Sequence, residues 1–228
     1  MPAAHLFVAD LEHPSIDDVD RHHVERVLRL RPGEAVSVSD GAGGRRDCAY
    51  REGGELEPAG DVERQGAPVP RLTIGFALVK SDRAGWIVQK LTECGIDRIL
   101  PFVADRSVVR WDPEKAGRTT ERWRRIAREA AMQSRRTWLP TVGDVVAYSA
   151  IDRPVVIADI DADEPPTLGS PTVLVGPEGG WSPEERAAAD RRIRLGPHVL
   201  RAETAAVAAG VLYAALRENI VDAAQQGD

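Results

Sequence analysis

Residues 174–185 read Leu-Val-Gly-Pro-Glu-Gly-Gly-Trp-Ser-Pro-Glu-Glu. A short apolar run gives way to a loop with three glycines, and the loop enters a strong helix start. Ser182 stands at the N-cap, Pro183 at N1 and Glu185 at N3, the pattern of a capping box. Glycine admits positive φ and lets backbone N–H groups approach a ligand closely. An ordinary strand-to-helix turn and a ligand-cradling loop both fit this stretch. The dinucleotide fingerprint and the P-loop do not, because G-x-G-x-x-G is absent and no Lys-Ser/Thr follows. Residues 194–205, Arg-Leu-Gly-Pro-His-Val-Leu-Arg-Ala-Glu-Thr-Ala, repeat the logic: a short strand, a Gly-Pro loop, then a helix start with Arg201 and Glu203 at its mouth. Two such loops at the carboxyl ends of strands are where an open α/β sheet holds its ligand. Taken alone, Arg201 and Glu203 also read as a salt-bridged cap.

Outward from these loops the chain alternates apolar strands with helical periods. Strands are expected at Leu72–Val79, Ile99–Val103, Val108–Val109, Val155–Ala158, Thr172–Val175 and Ile193–Leu195. Helices are expected after the Ser81-Asp82 cap up to Gly95, over Thr119–Ser134, after Ser182, and over Glu203–Asn219. This alternation predicts an α/β domain with a mostly parallel sheet. Residues 1 to about 57 are different: short β segments at Leu6–Val8, Ala35–Ser39 and Asp47–Arg51, turn clusters such as Asp40 to Gly44, and one helix from Ser15 or Asp17 to Leu30. Pro58 to Arg71 has two glycines, three prolines and few large apolar residues, and is the expected linker. The domains are therefore residues 1–70 and 71–228.

The 228 residues carry 30 Lys+Arg against 36 Asp+Glu, a net charge of −6. That sum argues against a nucleic-acid partner until its distribution is considered. Only three of the basic residues are lysine, and seven arginines against two acids lie between Arg118 and Arg136. The acidic remainder includes the stretch from Asp159 to Glu164. Cys48 and Cys94 form no C-x-x-C, which fits a reducing cytoplasm rather than a disulfide framework. Five histidines show no metal spacing, no apolar run is long enough to span a bilayer, and no secretory signal is visible. No G-x-S-x-G is present, so a serine hydrolase is disfavoured.

Gly176-Pro-Glu-Gly-Gly followed by Leu195-Gly-Pro-x-x-Leu-Arg-x-Glu-Thr-Ala closely resembles the bacterial small-subunit (16S) rRNA uracil-N3 methyltransferases of the SPOUT superfamily. His22-His23-x-x-x-Val27-Leu28-Arg29, Pro32-Gly33 and Asp40-Gly41 are similar to that family's N-terminal PUA-like RNA-binding barrel. Lys80-Ser-Asp-x-x-x-Trp86-x-x-x-Lys90-x-Thr92-Glu93-x-Gly95, Arg106-Ser107-Val108 and Glu129-Ala-Ala-x-Gln133-Ser-x-Arg136 are similar to its middle motifs. Ser134-Arg135-Arg136 departs from the family, where glycine usually precedes the arginine.

The resemblance implies a C-terminal trefoil knot, a homodimer, and S-adenosylmethionine held by the two glycine loops. The implied cofactor residues are Leu174, Val175, Gly176, Pro177, Glu178, Gly179, Gly180, Leu195, Gly196, Leu200, Thr204 and Ala205. It implies 16S rRNA or the small ribosomal subunit as partner, with no metal and no membrane. The RNA contacts it suggests are His23, Arg26, Arg29, Lys80, Arg106, Arg124, Arg128, Gln133 and Arg136. For the chemistry, a fixed guanidinium suits charge developing on the uracil oxygens, and Arg201 is the candidate. Glu203 either accepts the N3 proton or orients Arg201. Three other readings stay open: a knotted methyltransferase acting on a ribose hydroxyl or on guanine, a non-catalytic PUA-type ribosome-assembly factor, and a small-molecule methyltransferase, which leaves the N-terminal domain without a job.

Overall fold

The computed structural model describes residues 2–16, 30–79 and 83–221. The expected helix from Ser15 or Asp17 to Leu30, the cap at Ser81-Asp82, and residues His23, Arg26, Arg29 and Lys80 lie outside the described residues, wholly or in the main. The chain clusters into two units, residues 1–67 with 128–139, and residues 68–127 with 140–228.

The first unit holds β1 (Ala4–Phe7), β2 (Ala35–Ser39), β3 (Gly44–Tyr50), β4 (Leu56–Pro58) and β5 (Glu63–Arg64). β1 pairs with β2 in parallel, and β3 takes β2, β4 and β5 antiparallel. Leu6, Val36, Val38 and Cys48 are buried at the centre with Ala131 and Met132. The β2–β3 turn is held by Asp40, whose Oδ1 accepts from the N–H groups of Ala42 and Gly44 at 2.8 and 2.9 Å. Gly43 in that turn has φ +93°, and a Cβ there would meet the Gln65 carbonyl at 2.4 Å and the Trp138 ring at 2.8 Å. The expected linker is thus partly structured, because β5 is a strand of this sheet. Its polar composition hid two residues of backbone pairing.

The second unit is a seven-stranded sheet in the order β12-β10-β11-β6-β7-β8, with β9 also on β7. The strands are β6 (Thr73–Ala77), β7 (Arg98–Val103), β8 (Thr141–Val142), β9 (Val146–Ala147), β10 (Val156–Ala158), β11 (Thr172–Val175) and β12 (Arg191–Ile193). Their pairings are parallel. The helices are α1 (Arg83–Glu93), α2 (Pro113–Gln133), whose residues from Arg128 on belong to the first unit, α3 (Pro183–Ala188) and α4 (Ala202–Arg217). β6 is buried along its length, as its unbroken apolar run predicts. Ala206, Ala209 and Gly210 of α4 are buried, and a Cβ on Gly210 would meet Leu91 of α1 at 2.7 Å. The small residues of α4 therefore serve close helix packing inside this unit. Arg217, at its end, donates to the buried Asp97 at 2.5 Å and to the Gly95 carbonyl at 3.0 Å.

Several elements differ from expectation. Val108–Val109 forms no strand: Val108 is 70% exposed, in a stretch that follows a turn where the Ala104 N–H donates to the Ser107 hydroxyl. Helix α2 begins six residues early, at Pro113, because Asp112 caps it by accepting from the Lys115 N–H at 2.8 Å. β12 ends at Ile193, since Leu195 turns out into a loop. The departure at Arg135 also has a backbone reason. Arg135 has φ +57° at the end of α2, where the Arg135 and Arg136 N–H groups donate to the Met132 and Ala131 carbonyls. This is the left-handed helix end that glycine usually takes.

His5, 4% exposed, lies between two hydrogen-bond partners. The Arg136 carbonyl at 3.1 Å can only accept, so Nε2–H donates to it, and Nδ1 accepts from the Ser37 hydroxyl at 2.8 Å. Burial, with the charges of Arg45 and Arg135, lowers its pKa from 6.5 to about 4. The folded state keeps the ring neutral, so its contribution is complete above about pH 6.5 and is lost progressively as pH falls from there to about 4. The expected loss is on the order of 3 kcal/mol. Denaturant unfolding at pH 7.5 and 4.5 should show this loss in the unaltered chain and a smaller one in His5→Gln. Equal losses would assign the pH dependence elsewhere.

Candidate functional site

Because β10, β11 and β12 run parallel, their carboxyl ends share one edge of the sheet. The loop from β11 runs Gly176 to Trp181. The Gly180 N–H donates to the Pro177 carbonyl at 2.9 Å, with Gly180 at φ +70°. It then enters α3 through the expected capping box, with Ser182 and Glu185 each bonded to the other's backbone N–H. The loop from β12 runs from Arg194 to Leu200 and enters α4, with Arg201 as N-cap. Residues 159–160 follow β10.

These three segments and the first turn of α4 enclose a cavity of about 380 Å³. Of the residues singled out in the sequence, Val175, Gly176, Pro177, Glu178, Gly180, Leu195, Gly196, Leu200, Ala205 and Arg201 line it. Leu174, Gly179 and Thr204 do not. Strand alternation turns Leu174 into the core, where it fills the space beside Gly75. Gly179 lies against Arg106. Thr204 is exposed on α4.

The sequence reading missed part of the wall: Asp159, Ile160, Trp181, Arg186, His198 and Val199. Trp181 is 4% exposed, and its indole N–H donates to the Ala158 carbonyl at 2.9 Å. Its ring stacks on Phe102 at 6.0 Å and lies so close to Gly176 that a Cβ there would be 2.8 Å from it. Asp159 is buried, with Arg186 Nε at 2.9 Å and Arg192 at 3.7 Å.

Arg201 and Glu203 part company. Arg201 is exposed on the cavity wall and its side chain makes no hydrogen bond or ion pair among the described residues. Glu203 does not line the cavity and pairs with Arg83 at 3.2 Å. Successive helical residues turn by about 100°, so Ala202 and Ala205 face the cavity while Glu203 faces away from it. The expectation that Glu203 orients Arg201 is therefore corrected: its ion-pair partner here is Arg83.

The arginines expected to meet RNA are largely engaged within the chain. Arg124 donates to Glu121, to Asp144 at 2.8 Å and to the Val142 carbonyl at 3.2 Å. Arg128 donates to the Phe7 carbonyl at 3.1 Å and covers the Phe7 ring. Arg136 donates to the Trp138 carbonyl, and Arg106 to the Gly179 carbonyl at 3.3 Å. Gln133 is exposed. Arg125, exposed on α2, has no such partner among the described residues. No group of three His, Cys, Asp or Glu side chains placed to hold a metal occurs among the described residues. Among them, no helix is long and apolar enough to cross a membrane.

Residues 65–213 match the family model of an RNA methyltransferase domain, and residues 16–55 that of an RNA methyltransferase PUA domain. The ribosomal RNA small subunit methyltransferase E of Mycobacterium tuberculosis is 34% identical over 220 residues, covering 85% of this chain and 83% of the relative. Its namesake from Bacillus subtilis is 32% identical over 219 residues, covering 84% and 85%. A crystal structure of the Neisseria gonorrhoeae ribosomal RNA small subunit methyltransferase E, bound to S-adenosyl methionine, has a TM-score of 0.78 at 25% identity. It covers 95% of this chain and 97% of that one. The match across both glycine loops, carried by relatives over most of the length, places the chain in the RNA methyltransferase family of the ribosomal RNA small subunit methyltransferases E.

Proposed function

We propose that the chain transfers a methyl group from S-adenosylmethionine to N3 of a uridine in the 16S RNA of the small ribosomal subunit. One observation carries the reading: both glycine loops wall a single cavity on which the guanidinium of Arg201, without a partner among the described residues, is exposed. The cavity fits the cofactor. Gly196 is part of its wall, and a Cβ there would meet nothing within 4 Å, so space is left open at that position. Val199, Leu200 and Ile160 line it while 82%, 36% and 40% exposed, apolar surface that a bound adenosyl group would cover. Val175, Pro177, Leu195 and Leu200 would enclose the base, and Glu178 brings negative charge toward a cationic ligand.

When bound, S-adenosylmethionine supplies a methyl group already activated by its sulfonium charge. The protein's share is placement and electrostatics. The loops would hold the uracil N3 in line with the methyl group and exclude water. Arg201 would stabilise charge developing on O2 and O4 as the N3 proton is lost to bulk solvent and the bond between the methyl group and the sulfonium sulfur gives way to the new N3–methyl bond. Membership of the 16S methyltransferase family supports an RNA substrate. We read residues 1–70 as a PUA-like RNA-binding barrel with its linker and 71–228 as a knotted methyltransferase domain, working in the cytoplasm. A homodimer is proposed on the outer face of α4, where Val211 is 50% exposed, with Ile220 and Val221 exposed beyond it.

Incubation of small subunits lacking the modification with labelled cofactor, followed by nucleoside mass spectrometry, should yield 3-methyluridine. A 2′-O-methylated product would select the ribose reading, and absence of any product the non-catalytic one. Arg201→Ala should lower turnover by about 100-fold or more with cofactor affinity changed less than about twofold. Gly196→Val should leave the Tm within about 2 °C and abolish cofactor binding measured by calorimetry. Arg125→Glu should flatten the dependence of log K for RNA on log salt by about one unit of slope. An unchanged slope would remove Arg125 from the RNA face.

A further inference from the structure

Three glycines in six residues make the 176–181 loop costly to order, so something outside it has to fix its path. The turn Ala104–Ser107, after β7, lies against it. Arg106 donates from Nη1 to the Gly179 carbonyl at 3.3 Å. The packing there is close: a Cβ on Gly179 would be 3.2 Å from both the Cβ and the carbonyl oxygen of Arg106. Asp105 makes a second attachment at the end of the loop. Its Oδ2 accepts from the Ser182 hydroxyl at 2.7 Å, and its N–H donates to Glu185 Oε1 at 2.9 Å. The other oxygen of the same buried carboxylate accepts from the Ser182 N–H at 2.9 Å. The turn thus grips the loop in its middle and at its exit, on the side away from the cavity. Glu178 and Gly180, either side of the gripped residue, line the cavity.

We propose that Asp105 and Arg106 are positioning residues for cofactor binding, acting through Gly179 and Ser182, and that Arg106 serves the cofactor loop rather than the RNA. The inference rests on the reading of the cavity as the cofactor site. Neither residue lines that cavity, so each acts by narrowing the paths open to the loop before the ligand arrives. Loss of one such hydrogen bond corresponds to roughly a fivefold to tenfold change in affinity.

The test uses full-length Arg106→Ala, Arg106→Lys and Asp105→Ala. S-adenosylmethionine affinity is measured by calorimetry, 16S rRNA affinity by filter binding without cofactor, Tm by calorimetric melting, and kcat at saturating cofactor. The expected result is cofactor Kd raised about fivefold to tenfold in both alanine variants, with partial recovery in Arg106→Lys. RNA affinity and saturated kcat should stay within about twofold and Tm within about 3 °C. Weakened RNA binding with unchanged cofactor affinity in Arg106→Ala would overturn the assignment. So would a parallel fall of Tm, kcat and affinity in all three variants, which marks a merely structural contact. If the unaltered chain fails to bind S-adenosylmethionine, the cofactor reading falls and this inference with it, before any variant is compared.

Discussion

The candidate site depends on the seating of one indole. Trp181 lies between the ends of β10 and β11, its N–H given to the Ala158 carbonyl and its ring on Phe102. Tyr148 packs beside it at 5.6 Å and donates its hydroxyl hydrogen to the Glu185 carbonyl at 2.8 Å, on the helix that the loop enters. A ring this large, buried and hydrogen-bonded, has few alternative seats. Its presence decides that residue 176 is glycine, since any Cβ there would overlap it. A cavity wall, a loop conformation and a helix start therefore answer to one contact. The glycine that looks like a binding motif in the sequence has a packing reason as well as a ligand reason.

That double meaning explains what was legible in the sequence. The first glycine loop, the capping box and the parallel alternation were readable because each rests on local chemistry: positive φ at Gly180, a side chain reaching an N–H three residues on, an unbroken apolar run. Tertiary placement was not. Leu174 and Val175 are equally apolar and buried neighbours, yet pleating sends them to opposite faces of the sheet, and only Val175 reaches the cavity. The stretch from Asp159 read as acidic surface, with no glycine or motif to distinguish it. Only its position beside β11 makes Asp159 and Ile160 a third wall. Asp112-Pro113-Glu114 did carry a helix-start signal. The periodicity of Thr119–Ser134 drew the boundary too late.

The arginines show the same limit in charge. A local excess of arginine suggested an RNA face, but a guanidinium presents five donors in a fixed fork and can bind protein as readily as phosphate. Here many forks close on backbone carbonyls: Arg46 on Leu11 and Gly60, Arg124 on Val142, Arg128 on Phe7, Arg136 on Trp138, Arg217 on Gly95. Lysine could not replace them at equal cost, because its point charge cannot span a carbonyl and a carboxylate together, as Arg124 and Arg217 do. The preference for arginine over lysine therefore has a structural use independent of RNA.

Counting basic residues consequently overstates what is left for a polyanion. A phosphate reaches a guanidinium engaged with a carboxylate only by displacing that carboxylate, which offsets much of the gain from the new contact. Exposed arginines without a partner among the described residues, such as Arg125 on α2 and Arg201 on the cavity wall, meet no such competition. A net charge of −6 is then no obstacle to an RNA substrate. Many charges among the described residues are neutralised locally in pairs, and long-range attraction is weak at physiological salt, where fields decay within about 8 Å. Recognition under those conditions comes from a few uncommitted groups held in fixed places by a fold that uses its other arginines as internal ties.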